Sequence, residues 1–419
     1  MIHWPTLEDV RQAESALAGV TYRTPLQEFS YVNDLVGSRV FFKLENLQRS
    51  GSFKLRGAYN RIRQLRADEL RRGVVAASAG NHAQGVALAA GLVGTTAVIV
   101  TPEGASLNKI EATRSYGAEV RQIGESFDDA FLEAERIATG TGRILIHAFD
   151  DPWVIAGQGT VGLEMLDERP TIETIIVPIG GGGLISGIAL AVKAQNPRIR
   201  VVGVQAAGAS AVLQSRQLGQ IQTSATVRTI ADGIAVKRPG ELTFSMMERL
   251  VDEVVTVDEH DISRAILMFL ERSKLLVEGA GAVGLAALLA GKISLGQETS
   301  AVVVSGGNID VTLLSHIIEK GLVEEGRQLH LRTVIADRPG QLFRLLERVA
   351  QLKANVIRVN HERWDPLVAP QDVSVELMLE TRDASHWRAI VDALTGDGYE
   401  VMVEPRESSQ DLHTKNFDN

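Results

Sequence analysis

The sequence predicts an α/β protein with a mostly parallel sheet, followed by a smaller unit of mixed strands and helices. Between about residues 70 and 320, short β-branched runs such as Ala97–Val100 alternate with helical patterns such as Leu107–Tyr116. That alternation is typical of parallel sheets covered by helices. After Arg327 the order becomes strand, helix, strand, strand, helix, strand. This βαββαβ order predicts a ferredoxin-like unit.

The strands of the first part are indicated by continuous apolar runs, because a strand buried on both faces of a sheet is apolar throughout. The predicted strands are Val74–Ala77, Ala97–Val100, Thr174–Ile179, Val201–Gln205 and Ala301–Val304. The predicted helices are Ala83–Gly91, Leu107–Tyr116, Leu184–Lys193 and Val311–Lys320. Glycine-rich turns follow several of these strands, and open α/β sheets bind their ligands at such carboxyl ends.

The second part is indicated by shorter periodic segments around the turn Asp337–Gly340. Its predicted elements are the strand Leu329–Ala336, the helix Leu342–Leu352, the strands Asn355–His361 and Val373–Leu379, the helix Ala384–Leu394 and the strand Glu400–Val403. We therefore predict one domain over residues 1–326 and another over 327–405. The polar residues 406–419 are predicted to form a flexible tail.

Composition excludes several classes of protein. The chain has 419 residues, no cysteine and a net charge of −9. The charge gives no general electrostatic basis for binding nucleic acid or an anionic membrane, and the lack of cysteine excludes disulfides, zinc–cysteine sites and thiol catalysis. Met1–Pro5 is not a signal-peptide start, and the most apolar stretch, Gly85–Val100, is too short and too polar to span a membrane. We predict a cytoplasmic protein that binds neither nucleic acid nor membrane.

The first candidate motif is Ser52–Gly57, with Lys54 among small residues. A lysine amine that can lose its proton forms a Schiff base with a carbonyl cofactor. From the residues alone, a surface lysine is the open alternative.

The second motif is the loop of Ser78, Ala79, Gly80, Asn81 and His82, which follows an apolar strand and opens a helix. Exposed backbone amides at a helix start bind anions, including carboxylates. The alternative is a simple capping turn, in which Ser78 or Asn81 caps the helix and His82 is a structural histidine.

The third motif is the run of four glycines, Gly180–Gly183, between a strand and a helix. Such a loop can curl its amides around a phosphate. A dinucleotide fingerprint would need glycine in place of Ile185 or Ser186, and a Walker loop would need lysine in place of Ile188. A phosphate monoester therefore fits better than a nucleotide, and a tight loop for backbone packing is the alternative.

Two further residues stand at the ends of apolar segments. Ser305 follows the strand Ala301–Val304, where its hydroxyl could bind a ligand at the sheet edge, although an ordinary turn is the alternative. Glu278 precedes an apolar helix, and a favourable charge at a helix N-terminus is enough to explain it.

Taken together, in this order, the motifs resemble the serine/threonine dehydratase family of fold-type II pyridoxal-phosphate (PLP) enzymes over about residues 5–322. The resemblance implies two three-layer αβα subdomains with mostly parallel sheets, the smaller one (about 55–148) inserted in the larger. Residues of about 328–405 resemble an ACT domain, a regulatory module that senses amino acids, and the Asp337–Gly340 turn is its mark.

The resemblance also implies roles for individual residues. Lys54 would carry PLP as a Schiff base and remove the substrate α-proton. Asn81 would face the cofactor ring hydroxyl, and Ser305 the pyridine nitrogen. The remaining cofactor contacts would come from Phe53, Gly180, Gly181, Gly182, Gly183 and Leu184. The substrate carboxylate would be held by Ser78, Ala79, Gly80, Asn81 and His82.

The implied reaction converts L-threonine to 2-oxobutanoate and ammonia, with L-serine as a secondary substrate. It would be the first committed step of isoleucine biosynthesis, in a homotetramer controlled by an effector such as isoleucine or valine at the ACT domain. An L-serine dehydratase or a serine racemase of the same family is one alternative. A non-catalytic amino-acid sensor is another, although the intact Lys54, glycine loop and Ser305 argue against it.

Two departures from the racemases of this family bear on that choice. The racemases carry a second serine as a base where this chain has Ala79, so we expect dehydration rather than racemisation. Their divalent metal site begins with a glutamate where this chain has Gln205. We therefore predict no divalent metal and leave a monovalent cation open.

Overall fold

The computed structural model describes residues 4–403, so the predicted tail, residues 406–419, lies outside the described residues. The chain divides into two compact units, one ending at Val311 and one beginning at Thr312. Among the described helices, none has both the length and the apolar character that a membrane crossing requires.

The strands and helices are numbered in chain order through both units, and they alternate through most of the first unit. The strands are β1 Leu26–Glu28, β2 Arg39–Leu44, β3 Val74–Ala77, β4 Ala97–Thr101, β5 Glu119–Gln122, β6 Ile144–Leu145, β7 Thr174–Pro178, β8 Arg200–Ala206, β9 Glu253–Val257, β10 Thr299–Val304, β11 Gln328–Ala336, β12 Asn355–Glu362, β13 Asp372–Glu380 and β14 Val401–Val403. The α-helices are α1 Leu7–Leu17, α2 Ser30–Val36, α3 Lys54–Ile62, α4 Ala67–Arg72, α5 Asn81–Val93, α6 Leu107–Ser115, α7 Phe127–Thr141, α8 Pro152–Glu168, α9 Gly183–Gln195, α10 Ala211–Leu218, α11 Glu241–Leu250, α12 Glu259–Met268, α13 Gly279–Leu289, α14 Val311–Glu324, α15 Gln341–Gln351 and α16 Ala384–Gly396. Single 3₁₀ or π turns cover Glu45–Leu47, Ala207–Ala209, Asp232–Ile234 and Phe269–Ser273.

The larger sheet has the strand order β1-β2-β10-β7-β8-β9. All its neighbouring strands are parallel except β1, which runs antiparallel to β2. Successive side chains of β10 face opposite sides of the sheet. Ala301 and Val303 pack into a core with α9 and α11, whereas Val302 meets α13 at Gly284, where a Cβ would lie 2.5 Å from the valine. Helices therefore cover both faces.

The smaller sheet has the order β5-β4-β3-β6, and all its strands are parallel. Alternate residues of β3 enter two separate cores. Val74 and Ala76 pack with residues of α3 and α5, and Val75 and Ala77 pack with residues of α7. This second three-layer arrangement confirms the predicted fold class.

The second unit contains an antiparallel sheet in the order β12-β13-β11-β14. Alternate residues of β11 are buried, and they join residues of α15 and α16 in one apolar core. The chain order β11-α15-β12-β13-α16-β14 is the predicted βαββαβ order. Helix α14 groups with this unit from Thr312 onward, whereas the sequence placed the boundary after residue 326. That boundary stays a prediction.

Candidate active site

Lys54 is the first residue of α3, where the smaller sheet's helices meet loops of the larger sheet. The Phe53 amide donates a hydrogen bond to the Ser305 carbonyl oxygen over 3.2 Å. Ser52 forms an isolated β-bridge with Gly306. These contacts join the Ser52–Gly57 motif to the segment at Ser305, about 250 residues further along the chain.

The Lys54 amine is largely enclosed, and the alternative of a surface lysine is therefore wrong. Its Nζ donates a hydrogen bond to the Ala148 carbonyl oxygen over 3.0 Å. Burial lowers the pKa of Lys54 to about 8, although the charge of Glu278 acts in the opposite direction. An amine with this pKa is deprotonated in a useful fraction near neutral pH, as imine formation with a carbonyl requires.

Helix α5 begins beside Lys54 without a side-chain cap. A Cβ on Gly85 would lie 3.0–3.2 Å from Lys54 atoms, so α3 and α5 pack closely. The Ser78 hydroxyl accepts a hydrogen bond from the Gly80 amide over 3.1 Å, and the Asn81 side chain binds elsewhere. The capping alternative is therefore wrong, and the first amides of α5 are available for an anion.

His82 is buried and neutral. Its Nε2 donates to the Ile146 carbonyl oxygen over 2.9 Å, which places the proton on that nitrogen. Burial, together with the nearby charge of Lys54, lowers the pKa of His82 to about 3. The imidazole therefore carries no charge at neutral pH, so only the backbone of this residue suits a carboxylate.

The glycine loop between β7 and α9 is shaped by contacts that exclude larger residues. A Cβ on Gly181 would lie 2.3 Å from the Phe149 ring, and one on Gly183 would lie 2.9 Å from Phe149. Gly182 has φ +95°, which favours glycine. The Thr243 hydroxyl holds the loop by donating to the Gly181 carbonyl oxygen over 2.6 Å. Backbone packing is thus a real reason for these glycines.

The same loop leaves donors free for an anion. Within residues 4–403, the amides of Gly180–Leu184 donate no hydrogen bond to a protein acceptor, and α9 begins at Gly183 without a side-chain cap. Phe149, which packs on the loop, directly follows Ala148, whose carbonyl oxygen accepts from Lys54. The loop and the lysine therefore belong to one site.

A family model described as pyridoxal-phosphate-dependent enzyme matches residues 17–306, which include the three motifs and Ser305. The chain belongs to this family.

Individual relatives agree with the family. An L-threonine ammonia-lyase of Thermotoga maritima is 48% identical over 398 residues, which cover 95% of this chain and 99% of the relative. A solved threonine deaminase isoform from Solanum lycopersicum is 36% identical, with a TM-score of 0.72, over 76% of this chain and 91% of its own. A solved maize serine racemase is 40% identical, with a TM-score of 0.73, over 77% and 100% of the two chains.

The residues of this PLP-dependent enzyme fit the cofactor. The enclosed Lys54 amine suits an imine link to an aldehyde, and the uncapped amides of Gly180–Leu184 suit a phosphate. Ser305 is buried at the end of β10, and the Phe53 ring lies 5.2 Å from the Lys54 amine. A deprotonatable amine, a set of anion-binding amides and a hydroxyl are thus present, as PLP requires.

The structure also adds residues that the sequence did not assign to the site. Glu278, at the start of α13, accepts a hydrogen bond from Asn81 Nδ2 over 2.6 Å. Asn308 Nδ2 donates to Asn81 Oδ1 over 2.7 Å. Asn308 follows β10, a position that could have pointed to it, and Glu278 had a signal only as the residue before an apolar helix. Ala148 and Phe149 carry no distinguishing signal.

Gln205, where the racemases have a metal-binding glutamate, uses both ends of its amide group. It donates to the Ala209 carbonyl oxygen over 3.0 Å and accepts from the Leu213 amide over 2.9 Å. Across the described part of the chain, no group of three or more histidine, aspartate or glutamate side chains could hold a metal ion.

Proposed function

We propose that this PLP-dependent enzyme is a threonine ammonia-lyase, which converts L-threonine to 2-oxobutanoate and ammonia and accepts L-serine as a secondary substrate. The observation that carries the proposal is the enclosed Lys54 amine, with its lowered pKa, beside two uncapped helix N-termini. The Thermotoga maritima relative bears this activity in its name and matches the chain over nearly its full length.

Each residue has a part in the proposed elimination. Bound PLP supplies an electron sink that acidifies the α-proton of the amino acid. Lys54 removes that proton, because its amine is neutral in a useful fraction near its pKa of about 8. The backbone from Ser78 through Ala79, Gly80 and Asn81 to His82 binds the substrate carboxylate, as the uncapped start of α5 supports.

The remaining contacts hold the cofactor. Gly180, Gly181, Gly182, Gly183 and Leu184 bind its phosphate, and Ser305 lies by its ring nitrogen. Asn81 donates to its ring hydroxyl group, and Phe53 lines the site. A neutral hydroxyl at the ring nitrogen leaves that nitrogen largely unprotonated, which weakens the ring as an electron sink and favours elimination over transamination.

A serine racemase is the second candidate, because the solved maize racemase has a similar fold over 77% of this chain. Racemisation needs a second base on the opposite face of the substrate. Ala79 offers none, which favours elimination.

The second unit is proposed to regulate the enzyme. Its βαββαβ order and the turn before α15, where Gly340 has φ +85°, suit an ACT domain that binds an amino acid such as isoleucine or valine. A role in isoleucine biosynthesis, a cytoplasmic location, a homotetramer and a bound monovalent cation belong to the same proposal.

The test is a keto-acid assay on the purified protein with threonine and serine, with and without isoleucine or valine. We expect 2-oxobutanoate from threonine, a slower reaction with serine, and a rate change with effector. The variant Lys54→Ala should lose the yellow colour of the lysine-linked cofactor and its turnover, because it removes the amine that forms the link. Lys193→Ala, which removes an ion-paired lysine on α9, is the matched control and should keep both.

Three outcomes would contradict parts of this proposal. No keto acid from either substrate despite bound PLP would favour the amino-acid sensor. A D-amino acid product would favour the racemase. Turnover without any effector response would keep the enzyme and remove the proposed regulation.

A further inference from the structure

Glu278 is a buried carboxyl group whose charge acts on the lysine of the site. Its residue is 2% exposed, and among residues 4–403 it forms no ion pair with a lysine, arginine or histidine. A Cβ on Gly306 would lie 2.3 Å from its Oε1, and one on Gly233 would lie 3.3 Å away. Two glycine-containing loops therefore close around this oxygen, and its side chain does not cap α13.

The Glu278 carboxyl group is the first member of a hydrogen-bonded series that continues through the side-chain amides of Asn81 and Asn308. Glu278 Oε1 accepts from Asn81 Nδ2 over 2.6 Å. Asn81 Oδ1 accepts from Asn308 Nδ2 over 2.7 Å, and Asn308 Nδ2 also donates to the Ser50 carbonyl oxygen over 2.9 Å. These contacts fix which end of the Asn81 amide is nitrogen. One N–H of Asn81 stays available for another acceptor.

The charged groups around Glu278 come from three other elements, since α13 itself carries none. Burial and, to a lesser extent, the charge of Asp232 raise the pKa of Glu278 to about 7, although Lys109 acts in the opposite direction. Lys109 also forms an ion pair with Asp232. The charge of Glu278 in turn raises the pKa of Lys54. Glu278 therefore changes its charge in the neutral range and acts on the Lys54 nitrogen when it does.

We propose that Glu278 is a positioning residue for the reaction at Lys54: when ionised, it holds the Asn81 amide in one orientation and favours positive charge on the Lys54 nitrogen. Protonation weakens both effects. This inference rests on the proposed elimination at Lys54, and it assigns Glu278 no contact with the substrate.

The experiment compares two replacements of Glu278 in the PLP-loaded enzyme. Glu278→Gln keeps an oxygen that can accept from Asn81 and removes the charge, whereas Glu278→Ala removes both. The measurements are the pH titration of the cofactor absorbance, and kcat and KM for threonine across pH. Melting temperatures at each pH check that the variants stay folded.

We expect Glu278→Gln to lower the pH midpoint of the absorbance change by about one unit, because a neighbouring negative charge is lost. Its kcat should fall about 10-fold, because a neutral amide oxygen holds Asn81 less firmly than a carboxylate does. The kcat of Glu278→Ala should fall roughly 100-fold, because Asn81 then loses this acceptor and its fixed orientation. KM should change little in both. The rate change with a midpoint near pH 7 in the wild type should disappear in both variants.

The matched control is Glu298→Gln, which removes a carboxylate next to β10 that accepts from the Thr174 hydroxyl. It should leave the absorbance midpoint and the rate profile unchanged. Equal absorbance midpoints in wild type and Glu278→Gln would overturn the positioning role, even if the rate fell. A moved midpoint in an enzyme that turns over no amino acid would keep the positioning role and contradict the proposed function instead.

Discussion

Lys54 and Arg56 lie two positions apart on α3, and their surroundings shift their pKa values in opposite directions. Arg56 is fully buried and donates to Glu45 over 2.8 Å and to Glu164 over 2.6 Å. Burial alone would lower its pKa, but the two carboxylates raise it. Within residues 4–403, the Lys54 amine has only a carbonyl oxygen as a hydrogen-bond partner, and burial lowers its pKa to about 8.

The difference separates a structural charge from a reactive one. The Arg56 cluster also contains Lys43, whose Nζ lies 2.6 Å from Glu164, so two cations face two carboxylates. A buried charge with such partners stays ionised and fixes the elements that carry it. A buried amine without them loses its proton readily, as a catalytic lysine must. The cluster ties the start of α3 to β2 and α8, and thereby holds Lys54 in place.

The largest expected effect comes from breaking the cluster. Arg56→Met should lower the free energy of unfolding by about 3–5 kcal/mol, because it leaves the buried Glu45 carboxylate without its ion-pair partner and leaves Glu164 with Lys43 alone. Arg39→Met is the control, since Arg39 pairs with Glu28 at the surface and should cost under about 1 kcal/mol. Urea unfolding of the cofactor-free variants measures both values. Equal losses would mean that the cluster is no more structural than a surface pair.

A smaller loss of stability is expected in the glycine loop, which contributes no charged side chain to the site. Gly181→Ala should lower the free energy of unfolding by about 2–3 kcal/mol, because its Cβ would overlap the Phe149 ring. It should also weaken PLP binding, since the loop must move. Gly104→Ala, where a Cβ meets nothing within 4 Å, is the control. Thermal unfolding and a PLP titration of both variants test this, and unchanged PLP affinity in Gly181→Ala would separate the loop from the cofactor site.

The sequence predicted the parts of the site that lie within one segment. The glycine loop, the start of α5 and Lys54 are each readable because strand, turn and helix signals are local. The contacts of Glu278 with Asn81, and of Lys54 with Ala148, join residues far apart in the chain. No local pattern encodes these pairs, which arise when the two sheets come together.

The fold was likewise predicted where periodicity is visible. Alternation of strands and helices, and the βαββαβ order, led to both units. Helix α8 was not predicted, because its residues from Val154 to Leu166 are all buried. A helix enclosed on every side has no polar face to create a periodic signal.

The smallest expected change in stability is that of Lys54→Met. It tests the contrast between Lys54 and Arg56 most directly, because it should have the opposite sign to the change in Arg56→Met. Lys54→Met should raise the free energy of unfolding of the cofactor-free protein by about 1–2 kcal/mol at neutral pH. This value is below the full effect of the pKa shift, since Lys54 is partly exposed.

The pH dependence follows from the two pKa values of Lys54, 10.5 in an unperturbed lysine and about 8 in the folded protein. Below the folded value both states are protonated, and the folded state holds an unfavourable charge. As pH rises from about 8 to 10.5, the folded amine is neutral while the unfolded one still binds a proton, so the wild type gains stability. The advantage of Lys54→Met should therefore shrink over that range and vanish above it. Lys193→Met, at an ion-paired lysine on α9, should show no such gain, and a Lys54→Met advantage that does not change with pH would attribute the effect to packing rather than to charge.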